Sequence, residues 1–479
     1  MSARDRSLPA AWRGFLLGAC AILSLAGLAA QDTASGSTSA DDEALFGAET
    51  VTESKPSDVA PQAEFLKYDQ VKVGGSLTGN LGYTATWIDP WNSTPNPIKP
   101  DSRALQPALT GTVKISAKPS ADFGVNMDFR STWPFFTTKS FLTSASYYAD
   151  NTLTPVTVDP GITTKSDSLT TTNLNIWALY SKFSWRDALF FSFGKQPLAW
   201  GVSKSFFQPA NDIFALAPVD FADTSAEREG PIVFKAQYPL PLELSSLYFY
   251  AGVPDGTSLD LGDARIALKA ETSFLNTELA AGGFYSWNDH PRALLMGTTG
   301  TGDFNFFGEA VGKWGSERYF LEKAGPATVG AQKADQLWFS GTVGGYYTNT
   351  DNNIVVSLAY YYNGEGQTGV TAKEAYAYYY FKQSEIDRMK FGTHYAGFSF
   401  SKQKLLVDDL SFTVYGVGDL SDQSFLLAPS FTWLFFDYAS AKLGAVLTFG
   451  PNGSEYTMMG GGKPSAAVNL TLTLGNGAF

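Results

Sequence analysis

The sequence is poor in the residues on which most chemistry depends. Cys20 is its one thiol among 479 residues, and His290 and His394 are its only imidazoles. A lone cysteine excludes an internal disulfide and a thiolate metal cluster. Two histidines far apart in sequence give little material for nucleophilic catalysis, which needs a nucleophile, a base and an orienting group together. Charged residues make up 17%, below the ~25% usual for soluble domains. After residue 30 no apolar run approaches the ~20 residues of a membrane helix. The glycine-rich phosphate loop, the HExxH zinc motif and the DxDxDG calcium loop are also missing. The net charge of −12 argues against nucleic acid or an anionic membrane surface as partner.

What is present begins with a leader. Arg4, Arg6 and Arg13 precede the apolar stretch 15–30, which gives way abruptly to Gln31-Asp32-Thr33. A basic start, a short apolar centre and a small-residue exit describe a secretory signal peptide, with cleavage expected near Ala30. Leu17-Gly18-Ala19-Cys20 resembles a lipoprotein processing box, but the apolar core runs on past Cys20, which disfavours lipidation. Cleavage leaves no cysteine and 31 basic against 45 acidic residues, a net charge of −14. Residues 31–64 are rich in Ser, Thr, Asp and Glu and read as a disordered periplasmic lead-in. Within them the patch 41–47 (DDEALFG) is either a solvated charge run or a docking motif.

Without membrane helices, a chain that crosses a bilayer must do so as a closed barrel. Its signature is short segments alternating in hydrophobicity. Phe123, Val125, Met127 and Phe129 alternate with Asn126, Asp128 and Arg130; Val468, Leu470, Leu472 and Leu474 with Asn469, Thr471 and Thr473. Ala264, Ile266, Leu268 and Ala270 alternate with Arg265 and Lys269, and Ile232, Phe234, Ala236 and Tyr238 with Lys235 and Gln237. The expected fold is therefore all-β, a transmembrane antiparallel barrel occupying 65–479. Strands are expected at 71–88, 107–118, 121–133, 173–185, 189–197, 230–238, 243–253, 263–271, 277–287, 292–299, 303–314, 335–348, 353–363, 389–402, 409–419, 424–436, 440–450 and 465–474. That makes 18 strands, or 16 if the weak segment 292–299 is excluded. Short periplasmic turns are expected to alternate with long external loops, chiefly 134–172, 198–229, 315–334 and 364–388.

Alternation assigns Lys114, Asp128, Arg130, Lys235, Arg265 and Lys269 to the lumen, because a Lys or Arg facing lipid at mid-depth costs ~2–4 kcal/mol. Asp351-Asn352-Asn353 and Asp408-Asp409 read as turn formers. Tyr360, Tyr361, Tyr362, Trp433, Phe435, Phe436 and Tyr438 are expected in aromatic girdles.

The most distinctive stretch runs over 193–231. It contains Gly194-Lys195-Gln196, Trp200-Gly201, Pro209-Ala210-Asn211-Asp212, Pro218-Val219-Asp220 and Glu227-Arg228-Glu229-Gly230-Pro231. This resembles a signature of porin-like outer-membrane barrels of Gram-negative bacteria and spirochaetes, where a strand ends in a basic residue and Gln before a Pro/Asp-rich loop. The resemblance implies that loop 198–229 folds inward. Its Phe206, Phe207, Ile213, Phe214, Leu216, Val219 and Phe221 are too apolar for a loop in water, and their burial would turn Asp212, Asp220, Glu227 and Arg228 toward the channel. The opposing reading is that Trp200, Pro209 and Pro218 brace the rim. The final Phe479 resembles the terminal aromatic read by barrel-assembly machinery.

Two functions fit these features. One is an outer-membrane porin for passive diffusion of small polar solutes or ions, without turnover or cofactor. The other is a surface adhesin or receptor whose external loops bind partners. Partners expected on the first reading are membrane lipid and the assembly machinery, with a homotrimer by analogy to porins.

Overall fold

The computed structural model describes residues 71–475, apart from 92–99, 135–136, 140–144, 149–154, 159–162, 166–173, 187, 199, 203–206, 211–229, 242–244, 254–260, 288, 317, 325–326, 333–334, 369–370, 373–389 and 437. The leader, the lead-in, segment 375–381 and Phe479 lie outside the described residues.

Eighteen strands make the wall: β1 Val71–Ile88, β2 Ser102–Ser120, β3 Phe123–Pro134, β4 Leu174–Trp185, β5 Leu189–Lys195, β6 Ile232–Pro239, β7 Ser246–Val253, β8 Arg265–Phe274, β9 Thr277–Ser286, β10 Arg292–Thr301, β11 Phe304–Trp314, β12 Leu337–Asn349, β13 Ile354–Asn363, β14 His394–Lys402, β15 Leu410–Asp419, β16 Ser424–Phe436, β17 Ala439–Phe449 and β18 Ser465–Leu474. Each pairs antiparallel with its sequence neighbours, in one 18-stranded sheet. The sheet closes where Gly79–Ile88 of β1 pairs with Leu474–Ser465 of β18. Closure leaves no edge strand, so the backbone groups of the ladder are satisfied within the wall. The segment 292–301 is a full strand paired on both sides, which settles the count at 18 rather than 16.

The connections segregate by length. Between β8 and β9 the turn is only Leu275-Asn276, both with positive φ (49° and 62°), as a two-residue hairpin of the twist-matching kind requires. The β2–β3, β4–β5 and β10–β11 connections at this end are also tight. At the Asp351-Asn352-Asn353 turn, Asn353 has a φ of 51° and Asn349 Oδ1 accepts from the Asn352 amide at 2.8 Å. The opposite end carries the long connections, including 196–231, 364–393 and 450–464. Loop 315–336 contains a hairpin, Tyr319–Ala324 with Ala327–Gln332. The first residues of β1 and the last of β18 are at the short-turn end.

The outward face explains why such a wall folds in lipid. Leu268, Leu295, Phe339, Val343, Leu358, Phe306 and Leu443 are all at least half exposed, a surface that hydrocarbon accepts and water does not. Between them the inward residues are buried or polar. The pattern is a membrane-spanning barrel. Trp433, Phe436 and Tyr438 are exposed near the short turns, and Tyr360 and Tyr362 near the long loops, consistent with two girdles. Tyr361 corrects the girdle expectation: alternation turns it inward, where it is buried.

Candidate functional site

The site is the lumen, and the loop leaving β5 organises it. Gly194 has a φ of 129°, and a Cβ there would lie 2.2 Å from the Leu179 carbonyl oxygen, so only glycine fits. The wall ends at Lys195, whose register partners Leu179 and Ile232 face outward. Gln196 turns in and is buried; it accepts from the Ser192 hydroxyl at 2.7 Å and donates to the Val233 carbonyl at 3.1 Å. The loop's far root closes when the Gln196 amide donates to the Pro231 carbonyl. Gly230 makes this closure possible, since a Cβ there would sit 1.7 Å from the Gln196 carbonyl oxygen.

From these roots the chain enters the barrel. Trp200 is buried against Tyr250 of β7, with ring centroids 4.8 Å apart, and Lys269 of β8 approaches its ring at 5.7 Å. Phe207 is wholly buried, stacked on Tyr361 of β13 at 5.1 Å and near Tyr395 of β14 at 5.4 Å. The Thr342 hydroxyl of β12 donates to the Phe207 carbonyl at 3.0 Å. Glu309 of β11 accepts from the Ala210 amide at 3.3 Å, and its carboxylate packs so close to Gly201 that a Cβ would come within 2.5 Å. Pro209 and Ala210 are buried as well. One short segment thus touches inward side chains from β7 to β14, which requires it to run inside the barrel. The bracing of Trp200 and Pro209 and the inward fold are one arrangement.

Two packed clusters result. The first joins Trp200 and Ala210 to Val233, Tyr248, Phe284, Leu294 and Met296 on β6–β10. The second joins Phe207 to Tyr361, Tyr395, Tyr415, Leu426 and Tyr456. Tyr456 belongs to a short 3-10 helix, Glu455–Gly460, in the long loop after β17. Glu455 accepts from the Tyr395 hydroxyl at 2.6 Å and from the Phe391 amide at 3.1 Å. Burial first, and the neighbouring Asp419 and Asp422 charges with it, push its carboxyl up to about 8 despite the Tyr395 bond. Glu365, in the loop after β13, behaves oppositely. Burial would raise it, but Lys313 at 2.7 Å and Arg318 hold it below the usual carboxylate range.

The remaining wall, β17, β18 and β1–β4, is open. Its inward positions include Asn469, Thr471 and Thr473, then Ser76, Thr78, Thr110 and Thr112, none of them buried. Lys72, Lys114, Lys118 and Lys442 on this side are exposed.

The predicted lumen residues divide accordingly. Lys114 borders the open side. Asp128 and Arg130 face inward as an ion pair at 2.9 Å. Lys235 leans on Tyr248 at 5.4 Å, and Arg265 is half-buried at the long-loop end of β8. Lys269 faces inward but is buried, paired with Glu271 and covered by Trp200, so it supports the loop rather than an open wall. Asp212, Pro218, Asp220, Glu227 and Arg228 lie outside the described residues, as do Phe206, Ile213, Phe214, Leu216, Val219 and Phe221. His290 and His394 are far apart. The His290 amide donates to Asp289, which is paired with Arg292; His394 lies within 2.7 Å of the Tyr360 hydroxyl on the outer face. No group of three potential metal ligands occurs among the described residues. Glu309, Thr342 and Glu455 carry much of the loop anchoring and had no sequence signal beyond being polar at inward positions.

These features define a membrane-spanning barrel with a lumen-folded loop. Among solved structures, the chain resembles OpdK of Pseudomonas aeruginosa solved with vanillate (TM-score 0.47, 10% identity, 85% of this chain and 99% of that one). It also resembles OccAB3 of Acinetobacter baumannii (0.46, 12%, 85% and 99%) and OprD of Pseudomonas aeruginosa (0.45, 10%, 87% and 97%). No family model and no curated protein matches the sequence.

Proposed function

We propose that this chain is an outer-membrane porin, passing small polar solutes by diffusion along an off-centre path. The observation that carries this reading is the contrast between the two halves of the lumen. The described residues of loop 196–231 and the 450–464 loop fill the β6–β16 side and reach the long-loop ends of β17 and β18, while the rest of β17 and β18, with β1–β4, keeps hydroxyl, amide and ammonium groups accessible. An 18-stranded barrel is wide enough to leave an aqueous channel beside such a loop.

The open wall has a charge bias. Lys72, Lys114, Lys182 and Lys442 all lie on inward register positions, whereas its described acid, Asp128, is neutralised by Arg130. Basic side chains along a pore favour anions, even though the whole chain is acidic. The test is reconstitution in a planar bilayer under a potassium chloride gradient. Stable conductance with a reversal potential displaced toward chloride is expected; silence, or preference for potassium, contradicts it.

A further inference from the structure

We infer that β1–β4 carry a luminal binding niche for a phosphorylated, hydroxyl-rich solute such as a sugar phosphate. The inference rests on the porin reading for how the solute arrives, but the niche itself is built by the wall.

Two inward rows of the sheet meet there. One row runs Lys72, Ser116, Asn126, Tyr180; the next runs Gly74, Lys114, Asp128, Ala178. They border an open niche of about 390 Å³ that also touches Trp177 and Pro197, the latter at the root of the lumen loop. Gly74 leaves open the space between the two lysines' strands. Trp177 reaches the niche through an irregularity in the wall: Ala178 pairs with Asp128 and Ile176 with Phe129, so Trp177 is the extra residue of a bulge. Bulges re-aim side chains in this way and recur beside binding sites. The Arg130 guanidinium lies over the Trp177 ring at 4.0 Å while holding Asp128 at 2.9 Å.

Three features assign the ligand chemistry. First, Lys72 and Lys114 are exposed and make no ion pair with a described acid, unlike Lys269 and Lys313. Two ammonium groups from adjacent rows place two positive point charges together, which suits a compact dianion such as phosphate over a monoanionic carboxylate. Second, the Trp177 indole N–H is buried without a hydrogen-bond partner. A buried orphan donor costs about 1–3 kcal/mol, which a ligand oxygen relieves when the ring turns its N–H toward the niche. Third, Trp177 and Tyr180 supply ring surfaces beside Asn126, Ser116 and Asp128, which offer acceptors for hydroxyl protons. A bare anion uses only the first feature; a sugar phosphate uses all three.

The test uses the full-length protein in detergent and in bilayers, with glucose 6-phosphate, glucose, inorganic phosphate and benzoate as probes. Equilibrium dialysis is expected to show glucose 6-phosphate bound at least tenfold more tightly than either glucose or phosphate. The double substitution Lys72→Ala with Lys114→Ala is expected to weaken that binding tenfold or more. Trp177→Phe, which keeps the ring and removes the N–H, is expected to weaken it severalfold while leaving phosphate binding unchanged. Retained heat-modifiable migration of each variant excludes misfolding. Equal binding of glucose 6-phosphate and phosphate, or tighter binding of benzoate, overturns the inference. Conductance without any such binding overturns the niche and leaves the porin reading intact. Binding without conductance supports the niche while removing the porin reading.

Discussion

At the residue scale, the lumen loop depends on a few buried contacts rather than on its length. Phe207 fills the gap between Tyr361 and Tyr395, and replacing it with Ala removes packing worth about 3–5 kcal/mol. The energy is lost from the loop's attachment, since the wall's ladder is untouched. Phe207→Ala is therefore expected to raise and destabilise single-channel conductance while preserving heat-modifiable migration. Glu455 gives the second residue-scale expectation. A carboxyl raised in the folded state to about 8 keeps its proton where the unfolded chain, near 4.5, has lost it. Its contribution is fully present below about pH 4.5 and falls as pH rises toward 8. Protection of the 450–464 amides, corrected for the intrinsic pH dependence of exchange, is expected to fall between about pH 5 and 8, and Glu455→Gln to flatten that fall. A loop equally protected across the range in the unmodified protein contradicts this assignment.

At the element scale, alternation places a side chain in lipid or in the lumen by a single step along a strand. Leu268 and Thr471 sit on opposite faces of such strands. Leu268→Arg is expected to destabilise the barrel in lipid by about 2–4 kcal/mol, while Thr471→Arg costs little and alters ion preference; denaturant titration in vesicles checks both. The same period-two pattern made most of the eighteen strands legible from sequence; the weak segment 292–299, which left 16 strands open, is the strand Arg292–Thr301. Strand ends were less legible, because pairing carried β2 out to Ser102–Ser120 where hydrophobicity suggested 107–118. The Trp177 bulge was invisible, since an added residue is visible only against its partner strand. Tyr361 was misplaced with its neighbours because a run of three tyrosines hides the alternation that separates them. The motif around Gly194, Gln196 and Trp200 marked the loop, with inward folding and rim bracing both open, because its anchors Glu309, Thr342 and Tyr395 come from strands more than a hundred residues away.

At the scale of the whole molecule, the barrel divides its interior unequally. The β6–β16 side is filled by loop residues and resembles the core of a soluble protein, while the β17–β4 side is lined by groups that water can reach. On the proposed reading, an obstruction on one side narrows the path, and the lysines of the uncovered wall set its charge rather than the acidity of the chain.

Cysteine scanning of β18 tests this division most directly, in a background where Cys20, the one cysteine of the sequence, is replaced by Ser. With single cysteines placed from 468 to 473 in reconstituted protein, a water-soluble charged thiol reagent is expected to change the current at 469, 471 and 473. No change is expected at 468, 470 and 472. Reactivity without alternation, or at the even positions alone, would contradict an apolar outer face and a water path along this wall.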